Sequence, residues 1–283
     1  MLSLDNNSDW SLKESIPLSF DSYHPQGLTR VDDYFFLSSV EVTERPVTLS
    51  GQQFDRTNGA GIGHLFKFGL DGVLVDQVRL GEEATYHPGG IDFDGNSIWI
   101  SVAEYRPDSK SIVYRVDPDS LEAEEVFRFD DHLGAIAFDP AASKIHGVSW
   151  DSEYLYSWDY SYSEEVVETS AISAPMKTRR GGSRIAYQDC QMLNSPAMVC
   201  SGIGNTVIDN THTLTIGGIE LLDMNGHNIE HRIPVFATTA SGEFMVRNPS
   251  YLEFNDSAAH LFYFVPEDNA SSLYVYEVTS AAR

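Results

Sequence analysis

The chain is poor in basic residues. Lys and Arg together number 18 against 42 Asp and Glu, which gives a formal net charge of −24. A field of that sign repels phosphate backbones and anionic lipid surfaces, so neither nucleic acid nor a membrane is an expected partner. Cysteine is nearly absent. Cys190 and Cys200 are the only two; they fall on consecutive predicted strands, where two free, semi-buried thiols are expected and a disulfide is geometrically conceivable. No apolar run approaches the roughly 18 to 20 residues that span a bilayer. The opening MLSLDNNSDW is polar and acidic, unlike a secretory signal. A cytoplasmic location is expected, with secretion after removal of a signal left open.

Helical periodicity is missing too. No window of about 11 to 18 residues sustains apolar side chains at i, i+3, i+4 and i+7, which leaves a helical or α/β domain without support. There is no G-x-S-x-G, no P-loop and no G-x-G-x-x-G between a strand and a helix, so the serine-hydrolase and nucleotide-cofactor readings fail on context.

What the chain does have is a repeat. Five segments align: YHPQGLTRVDD from Tyr23, YHPGGIDFDG from Tyr86, DHLGAIAFDP from Asp131, YQDCQMLNSP from Tyr187 and NPSYLEFND from Asn248. Each passes from a polar residue through small or kinked positions into a short apolar alternation and ends on turn residues. A second apolar run follows each, such as YFFLSSVE from Tyr34 and SIWISVAE from Ser97, and the first four units carry a third and fourth. Such units are four-stranded meanders, and five of them predict an all-β, five-bladed β-propeller. The fifth unit holds three strands, so the orphan strand WSLKESIPL from Trp10 is expected to close the ring and remove its open edges. A six-bladed ring is the alternative, its extra blade drawn from the interval between His24 and His87. That interval, however, contains the polar, Gly-rich SGQQFDRTNGAGIG, which reads as a loop. The expected organisation is one domain over 1–283: residues 1–9 flexible, 10–18 the closing strand, and blades at about 23–80, 81–130, 131–183, 184–244 and 245–283.

Inner strands of a propeller all begin on one face, so His24, His87, His132, Gln188 and Asn248, at equivalent positions of the repeat, should converge at one mouth of the channel. Three neutral imidazoles suit Zn, Fe or Mn and leave coordination positions open for water or substrate. His24, His87 and His132 are therefore the expected ligands of one divalent transition metal. Two other roles for these His remain open, metal-free catalysis and hydrogen bonding within the blades. The second strands end near the same face in Glu41, Glu104 and Asp151, with Glu267 just past the last. A carboxylate there can orient an imidazole or move protons, and Glu41, Glu104, Gln188 and Asn248 form the expected catalytic set. Arg106, beside Glu104 as Arg45 is beside Glu41, together with Tyr105, Trp150, Arg179 and Arg180, is expected to bind substrate. The two adjacent arginines stand out in so acidic a chain and suit a carboxylate or phosphate. Insertions at 42–62, 170–186 and 233–247, the last ending in Arg247, lie on this face as well.

The strings YHPQGL, FFLSSVE, YHPGGIDFDG, VAEYRP and YQDCQ resemble a bacterial and fungal family known as a domain of unknown function. That resemblance implies a propeller and no particular substrate. The architecture is more distantly similar to gluconolactonase-like and strictosidine-synthase-like propellers, which hold their site at the channel mouth. Metal ligands of the gluconolactonase-like group are largely carboxylate and Asn, whereas His is offered here, which favours a transition metal over a calcium lactonase. The leading functional expectation is an enzyme acting on a small oxygenated molecule, a metal-assisted hydrolase or lyase. The alternatives are a metal-free His acid–base isomerase, cyclase or lyase, and a propeller that binds a ligand or protein without turnover.

Overall fold

The computed structural model describes residues 3–160, 174–181, 185–209, 212–255 and 259–280. After β1 (Asp9–Pro17) come β2 (His24–Val31), β3 (Tyr34–Glu44), β4 (Ala60–Gly69) and β5 (Leu74–Leu80). The next group is β6 (Thr85–Phe93), β7 (Ile98–Glu104), β8 (Ser111–Val116) and β9 (Ala123–Phe129). It is followed by β10 (Leu133–Asp139), β11 (Lys144–Ser149), β12 (Tyr154–Asp159) and β13 (Met176–Arg179), then β14 (Ala186–Asn194), β15 (Ala197–Val207), β16 (Thr213–Asp223) and β17 (Asn228–Val235). Last come β18 (Ser250–Glu253), β19 (Ala259–Phe264) and β20 (Ser272–Thr279). Within each group neighbours pair antiparallel in chain order, and β1 pairs with β20 from Asp9 opposite Thr279 to Pro17 opposite Ser272. The described strands thus group into five four-stranded meanders, the last completed by the first strand of the chain. The Gly-rich interval between β3 and β4 carries an isolated bridge, Thr48 to Arg56.

Hydrophobic burial explains why the blades stand as a ring. Successive side chains of a strand point to opposite faces, and both faces of each blade are covered by a neighbour. On β3, Phe35 and Leu37 pack towards Tyr263, Val265 and Leu273 of the last blade, while Phe36 packs towards Ile91, Ile98 and Ile100 of the second. Trp99 of β7 faces the other way, against Phe138, Ile145 and Trp158 of the third. Corresponding clusters join the third blade to the fourth and the fourth to the fifth. Two-sided burial is the reason the second strands read as unbroken apolar runs. Leu4, in the segment expected to be flexible, is fully buried in the cluster of Val199, Ile233 and Phe262.

On the axis the ring is tied by polar groups. The buried Asp189 carboxylate accepts the Leu28 N–H of β2 on Oδ2 at 2.8 Å, and on Oδ1 the Ile91 N–H of β6 at 3.1 Å and its own neighbour Cys190 N–H at 3.0 Å. Close approach requires glycine: a Cβ on Gly90 would stand 2.6 Å from Asp189 Oδ1, and one on Gly27 2.6 Å from Ile91 N. The Gln191 amide clamps β18 by donating to Leu252 O at 2.9 Å and accepting Leu252 N–H at 2.8 Å. The inner strands of the second and third blades meet at a parallel bridge, Ala135 to Gly90.

The cysteines correct an expectation. Cys190 and Cys200 are directly opposed in the β14–β15 register and form a disulfide across the strands. Strand spacing in the sequence does not fix register, and here register sets the two Cα atoms 4.1 Å apart. No helix among the described residues is long and apolar enough to cross a membrane.

Removing the Asp189 acceptor strands three buried N–H groups, each costing about 1–3 kcal/mol. Asp189→Ala is expected to lower unfolding free energy by at least about 3 kcal/mol in urea titrations. Asp189→Asn, which turns an NH2 towards one of the donors, should cost roughly 1–3 kcal/mol. An Ala variant within about 0.5 kcal/mol of wild type would show that the carboxylate does not hold the ring.

Candidate functional site

His24 opens β2, His87 lies near the start of β6, and His132 immediately precedes β10. Their rings converge in a row with His87 central, its centroid 6.4 Å from His24 and 5.9 Å from His132. Each ring is held differently. His24 donates from Nδ1 to Asp268 Oδ1 at 2.9 Å, and Asp268 also receives the Asn248 amide at 3.0 Å and lies 3.4 Å from the Arg247 guanidinium. His132 donates from Nδ1 to Glu104 O at 2.8 Å. His87 lies beneath Tyr105, ring centroids 4.1 Å apart, and both of its ring nitrogens are buried without a hydrogen-bond partner among the described residues.

These surroundings set the charges. Burial, reinforced by the neighbouring His132 and His24 rings, pushes His87 well below the ordinary imidazole value. Burial likewise brings His132 down to about 4, against the opposing pull of the Glu104 carbonyl. Both rings are therefore neutral near neutral pH. Burial acts to raise the Asp268 carboxyl, but the His24 hydrogen bond and charge, the Asn248 amide and Arg247 outweigh it and hold the group at about 2. Asp268 is thus a permanent carboxylate behind His24.

Two chambers meet at these rings. An inner cavity of about 190 Å³ is bordered by His24, Gln26, His87, His132, Trp150 and Gln188 among others, and an outer one of about 460 Å³ by Glu41, Arg45, Arg56, Arg247 and Asp268 among others. His24 and Tyr105 line both. In the inner cavity Gln188 donates to Gln26 Oε1 at 2.6 Å, and the buried Gln26 amide nitrogen has no partner among the described residues. The β3–β4 insertion arches over the mouth: Leu49 N–H to Asp55 O at 2.7 Å and Thr57 N–H to Val47 O at 2.9 Å close it into a hairpin-like loop. Its Arg56 stacks 4.9 Å over Trp150, and its Phe54 supports Arg106 at 3.6 Å. Some of the chain's left-handed backbone positions lie at the same mouth. Tyr23, Asp151 and Asn269 border the chambers with φ of 49°, 50° and 63°, a region that costs a non-glycine residue roughly 1–2 kcal/mol.

Several expected site residues stand elsewhere. The Glu104 carboxylate does not border either chamber; its Oε2 is gripped by Arg106 at 2.6 and 2.5 Å, so the pair is a structural ion pair beside the site. Asn248 faces Asp268 and Pro266 O, acting on the carboxylate behind His24. Arg179 is exposed and paired with Glu153 at 3.0 Å. Arg180 turns inward to stack 4.0 Å over Tyr187 beside Glu220. Part of the 170–186 insertion, residues 170–173 and 182–184, lies outside the described residues. Among the described residues no group of three or more His, Cys, Asp or Glu is placed to hold a metal ion. The three rings expected as metal ligands, His24, His87 and His132, are brought to one cavity, each in different surroundings. Asp268, Gln26 and Arg56 went unrecognised in the sequence.

The sequence profile of DUF6454 matches residues 1–281. The chain belongs to that family, whose function is unknown. No curated protein matches it in sequence. Among solved structures it is similar to MPT-1, a GDP-Man-dependent mannosyltransferase from Leishmania mexicana, at 9% identity and a TM-score of 0.53, covering 96% of this chain and 91% of that one. It is also similar to MPT-4, a mannose phosphorylase from Leishmania mexicana, at 10% identity and a TM-score of 0.52, over 94% and 88%. A luciferin-regenerating enzyme follows at 9% identity and a TM-score of 0.50, over 94% and 95%. Likeness at such identity shows the shared fold alone.

The Asp268 carboxyl stands at about 2 when folded against about 3.9 in an unfolded chain. Its contribution to stability is therefore complete above about pH 4 and disappears as pH falls towards 2. Asp268→Asn should be less stable than wild type at pH 7, with the difference in urea midpoint closing between about pH 4 and pH 2. A difference that stays constant across that range would disprove the charge linkage.

Proposed function

We propose that the propeller mouth is an enzyme active site in which His24, oriented by Asp268, serves as general acid–base towards a small oxygenated molecule, in an isomerase-, cyclase- or lyase-type reaction. The observation that carries this reading is the placement of His24. Its ring borders both chambers, its Nδ1 is committed to a carboxylate, and its Nε2 makes no hydrogen bond among the described residues. A carboxylate behind an imidazole fixes the tautomer and stabilises the imidazolium formed when Nε2 takes a proton.

The inner cavity supplies the other half of the reading. A hydroxyl or carbonyl oxygen entering it meets the neutral His87 ring and the unpartnered Gln26 amide. Binding there relieves buried polar groups that each cost about 1–3 kcal/mol while unpaired. Because His87 is neutral, it can donate one hydrogen bond and accept another. Tyr105 and Trp150 wall the cavity with apolar surface and limit access of water.

The test is proton NMR in D2O with a panel of small hydroxy acids, keto acids, sugar acids and lactones. Wild type is expected to exchange a C–H proton or convert at least one of them. His24→Gln should slow that reaction by about 10²–10⁴-fold, while a chelator leaves the rate unchanged. A His24→Gln variant as fast as wild type defeats the proposal, as does a panel that binds without exchange or turnover, which would instead indicate a binding propeller.

A further inference from the structure

Three guanidinium groups, Arg45, Arg56 and Arg247, border the outer chamber of a chain whose net charge is −24. Such a concentration of positive charge needs a reason, and structural pairing supplies only part of one. Arg45 makes no side-chain hydrogen bond or ion pair among the described residues, and its charge bears on Tyr105 at the entrance to the inner cavity. Arg56 is paired through Nε and one terminal nitrogen with its neighbour Asp55 at 3.0 and 2.8 Å, which leaves its other terminal nitrogen uncommitted. Arg247 makes long contacts of 3.4 Å to Glu243 and to Asp268. Asp55 and Glu243 are not part of the chamber lining. The two carboxylates that are part of it are engaged, Glu41 with His64 Nε2 at 3.3 Å and Asp268 with His24.

We propose that the outer chamber receives an oxyanion group, a carboxylate or phosphate, of the molecule whose uncharged oxygenated end enters the inner cavity; this rests on the reading of the mouth as an active site and names its substrate class. Arg45 is the principal counter-ion, and Arg56 and Arg247 flank it. Guanidinium forks match the planar carboxylate and the phosphate tetrahedron alike. Since His24 borders both chambers, an anion held by Arg45 brings the adjoining atoms of the same molecule beside the Nε2 of His24. Arg179 and Arg180, for all their basic appearance in sequence, do not take part.

Calorimetric titration in low salt tests this with matched probes: gluconate against glucitol, and glycerol phosphate against glycerol. The anionic member of at least one pair should bind about tenfold or more tightly than its neutral counterpart, and the affinity should fall between about 20 and 200 mM salt. Arg45→Gln, an exposed substitution, should weaken anion binding about ten- to hundredfold, and Arg56→Gln by a similar amount. Arg179→Gln should bind as wild type does. Anion affinity is read without turnover, so loss of turnover in His24→Gln leaves the anion site to stand or fall on the Arg45→Gln titration. Gluconate or glycerol phosphate alone identifies the carboxylate or the phosphate as the group recognised. Wild-type affinity in Arg45→Gln, equal binding of neutral and anionic probes, or no anionic probe binding below about 10 mM overturns the proposal.

Discussion

A buried carboxylate on the axis, Asp189, fixes where the mouth of this propeller can be. Inner strands that crowd an axis bring buried backbone N–H groups together, and each such group needs an acceptor. Asp189 supplies three of the missing acceptor contacts at once, to Leu28, Ile91 and Cys190. Its reach is possible because Gly27 and Gly90 present no Cβ where the strands converge. Those glycines lie within three residues of His24 and His87, so the closure that holds the ring also sets the height of the imidazoles above it. Gln188, one residue before Asp189, sits at the register shift between Tyr187 and Asp189 and faces the cavity. Burial raises the Asp189 carboxyl well above its usual range, against the pull of the N–H donors. The ring is thus held by a group whose own desolvation opposes it, and the five inter-blade hydrophobic clusters offset that cost.

Charge is distributed in an uneven way that bears on function. With 42 acidic residues against 18 basic ones, a uniform surface would present a repulsive field to any small anion. The mouth departs from that average because the blade-one insertion and the turn before β18 bring Arg45, Arg56 and Arg247 to one chamber. Solvated acidic residues elsewhere act over about a Debye length, roughly 8–10 Å at moderate salt. A local cluster of guanidinium groups can therefore dominate at the mouth despite the global sign.

The propeller was legible because its signal is repeated. Five alignments of an inner strand with its turn fix which residues are equivalent, and equivalence predicts that His24, His87, His132, Gln188 and Asn248 gather; the first four line one cavity, while Asn248 stands behind it on Asp268. Where the reading went astray, no repeat helped. Glu267 is the residue the pattern singles out, while the carboxylate behind His24 is its neighbour Asp268; the two lie in a bend past β19, where strand alternation gives no guide. Glu104 was expected to face the site, yet Arg106 two residues on folds back to hold it. Arg56 sits in an insertion without periodicity, and its contact with Trp150 is long-range. The disulfide depended on strand register, which pattern alone leaves open.

Three imidazoles at equivalent positions of a repeat invite the assumption of equivalent roles, yet the structure gives them different surroundings. His24 is partly exposed and carries a carboxylate partner, so a positive charge formed on it is met by Asp268. His87 and His132 are buried, and their pKa values are depressed by desolvation. His132 is further committed through Nδ1 to a backbone carbonyl, which leaves its ring an orienting wall against Trp150 at 4.7 Å. His87, with no partner at either nitrogen, is the most expensive of the three to leave empty. Environments that push chemically identical groups apart mark a division of labour. On the proposed reading of this mouth, one ring exchanges protons and another holds a neutral oxygen, and the third shapes the cavity between them.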